Sequence, residues 1–236
     1  MAACGLAAIS FAACQSTEQE SAELARVGGA QPAGPAALAL GASNRSVRAS
    51  QVTLVSEPGR LAVAARLTNA SARAQANVPL LVTVTGRGGK TLYTNGTGGI
   101  EASLQRIALL RGGQSAWWVD DQVLSSQPAS AARLRAGTGS SGAGAGGIAV
   151  STSAPQITRQ GGVATLAASL VNRSSTAHSK VPVYAVAVRG GRVVAAGRAV
   201  VPILPGHPGA SVTFQIVLVG NPAGASLQLD AIAGAG

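Results

Sequence analysis

The feature that most constrains this chain is an internal repeat. Asn69, in Leu-Thr-Asn-Ala-Ser, is answered 103 positions later by Asn172, in Leu-Val-Asn-Arg-Ser, and Val78-Pro79 is answered at the same offset by Val181-Pro182. The match runs without gaps from Gly59–Gly88 to Gly162–Gly191. Ten of its thirty positions are identical, among them Ala64, Ala65, Leu67, Asn69, Val78 and Pro79. A chain that repeats at this length builds one supersecondary unit twice.

The repeated unit reads as β-structure. Leu61, Val63, Ala65 and Leu67 alternate with Ala62, Ala64 and Arg66, and Ala164, Leu166, Ala168 and Leu170 take the same places in the second copy. Period two predicts strands with one packed face. Asn69 and Asn172 end these strands, where a side chain able to bond its own main chain suits a turn. Val-Pro then opens a second strand, predicted at Leu80–Thr85 and Val183–Val188, because proline cannot donate to a ladder and fits a strand's first residue. Glycine-rich turns lead to return strands at Thr91–Thr94 and Val193–Ala196. Further apolar segments follow at Ile107–Val119 and Val200–Val219, and closing strands at Ala131–Ala136 and Ser226–Ala233. Short strands at regular spacing predict an all-β fold of two tandem immunoglobulin-like β-sandwich domains, over 50–136 and 151–236. The segment 137–150 opens GTGSSGAGAGG and reads as a flexible Gly/Ser-rich linker, so the two domains are expected to move independently unless a large apolar interface forms.

The amino terminus has another character. MAACGLAAISFAA is too short to span a bilayer but suits a signal-peptide core over 1–13. Residues 14–49 are rich in Ala, Gly, Ser, Gln and Pro and read as a disordered tether. Both cysteines, Cys4 and Cys14, lie near the start, so the folded part has no disulfide framework. Phe11-Ala12-Ala13-Cys14 resembles a bacterial lipobox. The resemblance implies that Cys14 becomes the lipidated first residue of an exported protein anchored on the outer face of the bacterial membrane or at the cell surface. An ordinary secretory signal cleaved near Ala13 is the alternative. The strand-turn order of the repeats also resembles the adhesion-related and FxLYD-type sandwich modules of exported bacterial proteins. That resemblance implies binding or spacing, with no shared enzymatic activity.

The net charge is +10, from 18 Lys+Arg against 8 Asp+Glu. The cations are scattered singly, and aromatic residues do not interleave with them, so a nucleic-acid partner is not expected. Attraction to an anionic envelope polymer fits the same charge. The histidines, His178 and His207, accompany no nucleophile motif, and the second copy has one acid, Asp230. Asp120-Asp121 reads as a solvated strand end, since neighbours on a strand point to opposite faces. No catalytic residues, metal ligands or cofactor are expected. Trp117-Trp118 is the pair most suggestive of binding: one ring should enter the core, and the other should face out, where a tryptophan anchors carbohydrate or protein partners. The expected function is a non-catalytic envelope lipoprotein that acts as an interaction or structural module. The alternative is a binding module for cell-wall glycan or another anionic envelope polymer.

Overall fold

The computed structural model describes residues 36–142, 150–153 and 155–233. Among these residues the chain is all-β, with one helical turn, α1 (Ala102–Gln105), and a 3-10 turn at Arg87–Gly89. The first repeat contributes β1 (Val47–Glu57), β2 (Arg60–Asn69), β3 (Ala74–Gly86), β4 (Thr91–Thr94), β5 (Arg106–Leu110), β6 (Ser115–Val123), β7 (Ala129–Ala136) and β8 (Ser140–Gly142). The second contributes β9 (Val150–Thr152), β10 (Gln156–Gln160), β11 (Val163–Asn172), β12 (His178–Arg189), β13 (Arg192–Leu204), β14 (Ser211–Gly220) and β15 (Ser226–Ala231). The offset of 103 relates β2 to β11 and the last residue of β3, Gly86, to the last residue of β12, Arg189.

All pairings are antiparallel. In the first repeat, β1-β2-β6 form one sheet, and β3 pairs with β4, β5, β7 and β8 in the other. In the second, β11 pairs with β9, β10 and β14, and β12 pairs with β13 and β15. A short pairing of Ala195 with Gly220 and Ala196 with Val219 joins these two groups.

The two copies share one stack. Leu67 of β2, Leu80, Val82 and Val84 of β3, and Trp118 of β6 belong to the first core. Val181, Val183, Ala185 and Ala187 of β12 pack with Leu166, Leu170 and Ile216 in the second. The intervening residues of β12, Tyr184 and Val186, are equally buried but join the first cluster. With period-two alternation, this places β12 between two apolar layers. Its outer face, with Val193 and Ala196 of β13, lies against the outer residues of β2 and β6, including Ala62, Ala64, Trp117 and Val119. Residues 35–236 accordingly form a single compact unit. The large apolar interface that would stop independent motion is present.

Several boundaries differ from the sequence reading, each for a physical reason. Within the predicted tether, Val47–Ala49 already belong to β1 and Ser43 bridges Gly137. Of the predicted linker, Ser140–Gly142 pair with β3 as β8; residues 143–149 lie outside the described residues. Gly137 and Gly139 run so close to Leu40 and Ala76 that a Cβ would overlap their carbonyl oxygens. These glycines serve close approach as well as flexibility. Pro79 and Pro182 lie inside longer strands, not at their starts. Two residues earlier, Asn77 and Lys180 both have φ near +50°. On β3, residues up to Pro79 pair with β5, and residues from Leu80 onward pair with β7. The proline marks where the strand changes partners, and the kink before it is the repeat's backbone signature.

Asn69 and Asn172 are buried staples. Asn69 donates from Nδ2 to the carbonyls of Arg73 (2.8 Å) and Leu110 (2.9 Å), and accepts at Oδ1 from the Ser71 amide and hydroxyl. Asn172 donates to Thr176 and Pro205 and accepts from Ser174 in the same way. Neither has positive φ. Asparagine suits both positions because an amide satisfies donors and acceptors at once at a buried site.

Candidate functional site

The repeats diverge most in the return strand. In the second, β13 runs unbroken against β12, with Ala196 opposite Val186, Arg198 opposite Tyr184 and Val200 opposite Pro182. In the first, Thr94 of β4 lies opposite Thr83 and Arg106 of β5 opposite Pro79. Residues 95–105 therefore stand where the second repeat has only residues 197–199. The longer connection leaves the β3 edge without a backbone partner, and a side chain replaces it. Asn95 accepts from the Val82 amide (2.8 Å) and donates to the Leu80 carbonyl (2.9 Å). Gln105 closes the loop by donating to the carbonyls of Asn95 and Thr97. Both amides are buried, and both spend their polar atoms on the backbone.

The inserted loop reaches the second repeat at the position corresponding to its own place in the fold. Arg198 donates from Nη2 to Glu101 Oε2 at 3.0 Å and from Nη1 to the Ser103 hydroxyl. Its backbone amide donates to Asp121 Oδ2 at 3.0 Å, and its Nε lies 3.6 Å from Asp121 Oδ1. Tyr184 and Trp118 both donate to the Ser103 carbonyl, at 3.2 and 3.1 Å. On the inner face of the first repeat, the Tyr93 hydroxyl donates to Asp120 Oδ2 at 2.8 Å.

Asp120-Asp121 is thus not a solvated strand end. Asp120 is wholly buried, and Asp121 lies beneath Arg198. The alternation expected of neighbours holds, but both faces of β6 are covered. Burial pushes the Asp120 carboxyl up to about 6, although bonds from Tyr93 and the Gln122 amide partly offset it. Burial also raises Asp121, with Arg198 opposing. Burial works against ionised Glu101 too, but bonds from Arg198 and Ser103 outweigh it and hold this carboxyl below its usual value. Burial opposes the charge on Arg198, and Glu101 and Asp121 overcome that, so its pKa is raised.

The tryptophans need a second correction. Trp118 enters the first core, and Trp117 turns to the opposite face, as alternation requires, but the second repeat covers it: the two are 0% and 3% exposed. Neither ring offers a free binding surface. Trp117 donates from Nε1 to Gln228 Oε1 at 2.7 Å, and its amide donates to Asp230 Oδ2 at 2.7 Å. The Arg66 guanidinium lies over the ring, 5.6 Å from its centre. A cation at this distance gains from the ring quadrupole.

The carboxylates follow one pattern. The acids within residues 36–233 are Glu57, Glu101, Asp120, Asp121 and Asp230. Glu57 accepts from the Gly220 amide at 2.9 Å and pairs with Arg60 at 2.8 Å. Glu57, Glu101, Asp121 and Asp230 each bridge the two repeats, and Asp120 holds Tyr93. No signal in either copy alone marks the bridging role of Glu57, Glu101, Asp121 and Asp230, because for each the bridged group lies on the other copy.

The histidines sit in different surroundings. His178 is buried at the start of β12, 3.3 Å from the Ser174 hydroxyl, while His207 is exposed in the turn before Ala210. Asp230 is engaged with Trp117 instead. Among the described residues, no three His, Cys, Asp or Glu side chains converge, and no helix is long and apolar enough to cross a membrane. Cys14 lies outside the described residues. No protein-family model matches this chain, and no curated protein matches it.

Proposed function

We propose that this chain is a non-catalytic, exported envelope lipoprotein whose fused repeats act as an interaction or structural module. The observation that carries this reading is the use made of its ionisable groups: Glu57, Glu101, Asp121 and Asp230, with Arg198, join one repeat to the other. Side chains of the types that do chemistry in enzymes here supply rigidity. A stiff body behind a long, small-residue amino terminus suits presentation of a surface away from a membrane. The lipid anchor on Cys14 is part of the proposal and rests on the Phe-Ala-Ala-Cys resemblance. It is tested by metabolic palmitate labelling, which Cys14→Ala should abolish; labelling that persists in the variant overturns the anchor. The interaction role is tested by crosslinking in intact cells, with recovery of one reproducible protein partner expected.

A second reading, binding of an anionic envelope polymer, has its own support. With its acids committed internally, the outer surface is dominated by exposed cations such as Arg48, Arg87, Arg133, Arg135 and Arg192. Retention on purified cell wall at low salt and release at high salt tests it.

A further inference from the structure

A groove of about 400 Å³ opens where the β12–β13 hairpin meets the sheet of β1 and β2. Its walls are mixed and carry no acid: Trp117, Val188 and Val193 supply apolar surface, Ser50, Thr53, Thr68 and Gln228 supply hydroxyl and amide groups, and Arg66 supplies the charge. Arg66 lies over Trp117, which in turn is held by Gln228 and Asp230. The guanidinium makes no ion pair among the described residues. Asp230, which feels the Arg66 charge, is directed at the Trp117 amide. The groove floor also holds an irregularity: β1 slips register between Ser50 and Thr53, and Gln51 takes φ +50°, which removes regular backbone pairing there.

These features belong together. A guanidinium held 5.6 Å from an indole centre, and in no ion pair among the described residues, can turn its fork of N–H donors to a carboxylate or phosphate. Ring hydroxyls of a sugar, or the hydroxyls of a polyol, match the serine, threonine and glutamine groups around it. The apolar C–H groups of such a ligand would meet Val188 and Val193. The hairpin residues Arg189 and Arg192, both exposed, flank the Gly191 wall and extend the positive field. The site exists only because the repeats are fused, since β1 and β2 come from the first and Val188, Gly191 and Gln228 from the second.

We propose that this inter-repeat groove binds an anionic group borne on a polyhydroxy chain, with Arg66 as the anion-binding residue and Trp117 as the residue that positions it. The proposal rests on the polymer-binding reading above and names its site. The test measures tryptophan fluorescence and calorimetric titration of the whole protein with oligogalacturonate, glycerol-phosphate oligomer, neutral dextran oligosaccharide and single-stranded DNA. The first two distinguish carboxylate from phosphate as the source of charge. The proposal expects binding of at least one of them and none of dextran. Arg66→Gln should weaken that binding at least tenfold, whereas Arg135→Gln, which makes the same charge change on β7, should change it less than twofold. Arg66→Lys keeps the charge and guards against misfolding; it should recover only part of the loss. Equal loss in the Arg66 and Arg135 variants overturns the site but leaves diffuse polymer binding standing. No binding of either anionic oligomer by the unaltered protein overturns both the site and the polymer-binding reading. Tighter binding of DNA than of both oligomers overturns the polyhydroxy assignment.

Discussion

Arg198 and Glu101 meet at 3.0 Å across the seam between the repeats, yet their surroundings are unequal: the arginine side chain is 4% exposed and the glutamate 45%. The pair is therefore not one interaction with one value. Most of the cost of removing Arg198 comes from Asp121, which stays buried with its main counter-charge gone.

Arg198→Ala is expected to lower unfolding free energy by about 3 kcal/mol, because an uncompensated buried charge remains. Glu101→Gln keeps a hydrogen-bond acceptor at a half-exposed site and should cost less than about 1 kcal/mol. Urea denaturation of both variants checks this. Equal effects would mean that the exposed carboxylate, not Asp121, carries the seam.

Asp120 makes stability depend on pH with a defined sign. Its folded pKa, near 6, is above the ordinary 3.8, so the folded state binds the proton more tightly than the unfolded state. Its contribution is most favourable at low pH, falls as pH rises from about 4 to about 6, and is constant above. Asp120→Asn removes that loss while the Tyr93 hydroxyl keeps an acceptor. The variant should gain on the wild type through this window by roughly 3 kcal/mol, at 1.36 kcal/mol per pH unit. Glu101 shifts the other way, so the quantity to follow is the difference between variant and wild type, measured as denaturation midpoints from pH 3.5 to 8. A difference that does not vary with pH would show that Asp120 titrates normally.

The asparagine staples give a paired test. Asn69→Asp and Asn172→Asp replace an amide donor by oxygen at a buried site facing main-chain carbonyls. Each should be more destabilising at pH 8 than the corresponding alanine variant, and should recover in acid as the new carboxyl protonates. Thermal unfolding of the four variants at pH 5 and pH 8 checks both the order and its reversal.

The strands were legible because period-two burial is written locally. Leu61–Leu67 and Ala164–Leu170 show it directly, and Thr91–Thr94 proves to be a strand with those bounds. β1 was obscured by its own irregularity: the slip at Gln51 shifts the alternation, so RASQVTLVSE does not keep one period. The seam was not legible at all. Arg198 sits in Ala-Gly-Arg-Ala-Val, which carries no sign of a partner, and its partners lie on β6 and the 95–105 loop. Alternation correctly sends Trp117 outward from its own sheet, but it carries no information about a second sheet laid over that face.

The loop 95–105 allows the seam to be tested by returning the first repeat to the form of the second. Replacing it with three residues would let β4 run directly into β5, as Ala196 runs into Val200 in β13. Backbone would then meet the Leu80 carbonyl and Val82 amide that Asn95 now serves. The sheet should survive, so far-ultraviolet circular dichroism should remain that of a β protein. Arg198, Tyr184 and Trp118 would all lose their Ser103 partner, and Arg198 would also lose Glu101. The repeats are then expected to separate part of the time, which exposes Tyr184, Val186 and Ala64. The measurement is small-angle scattering combined with binding of a hydrophobic dye: the shortened variant should show a larger radius of gyration and increased dye fluorescence. An unchanged radius would show that the apolar layer around Trp117, with the bridges from Glu57, Asp121 and Asp230, holds the repeats together and that the loop only decorates the seam.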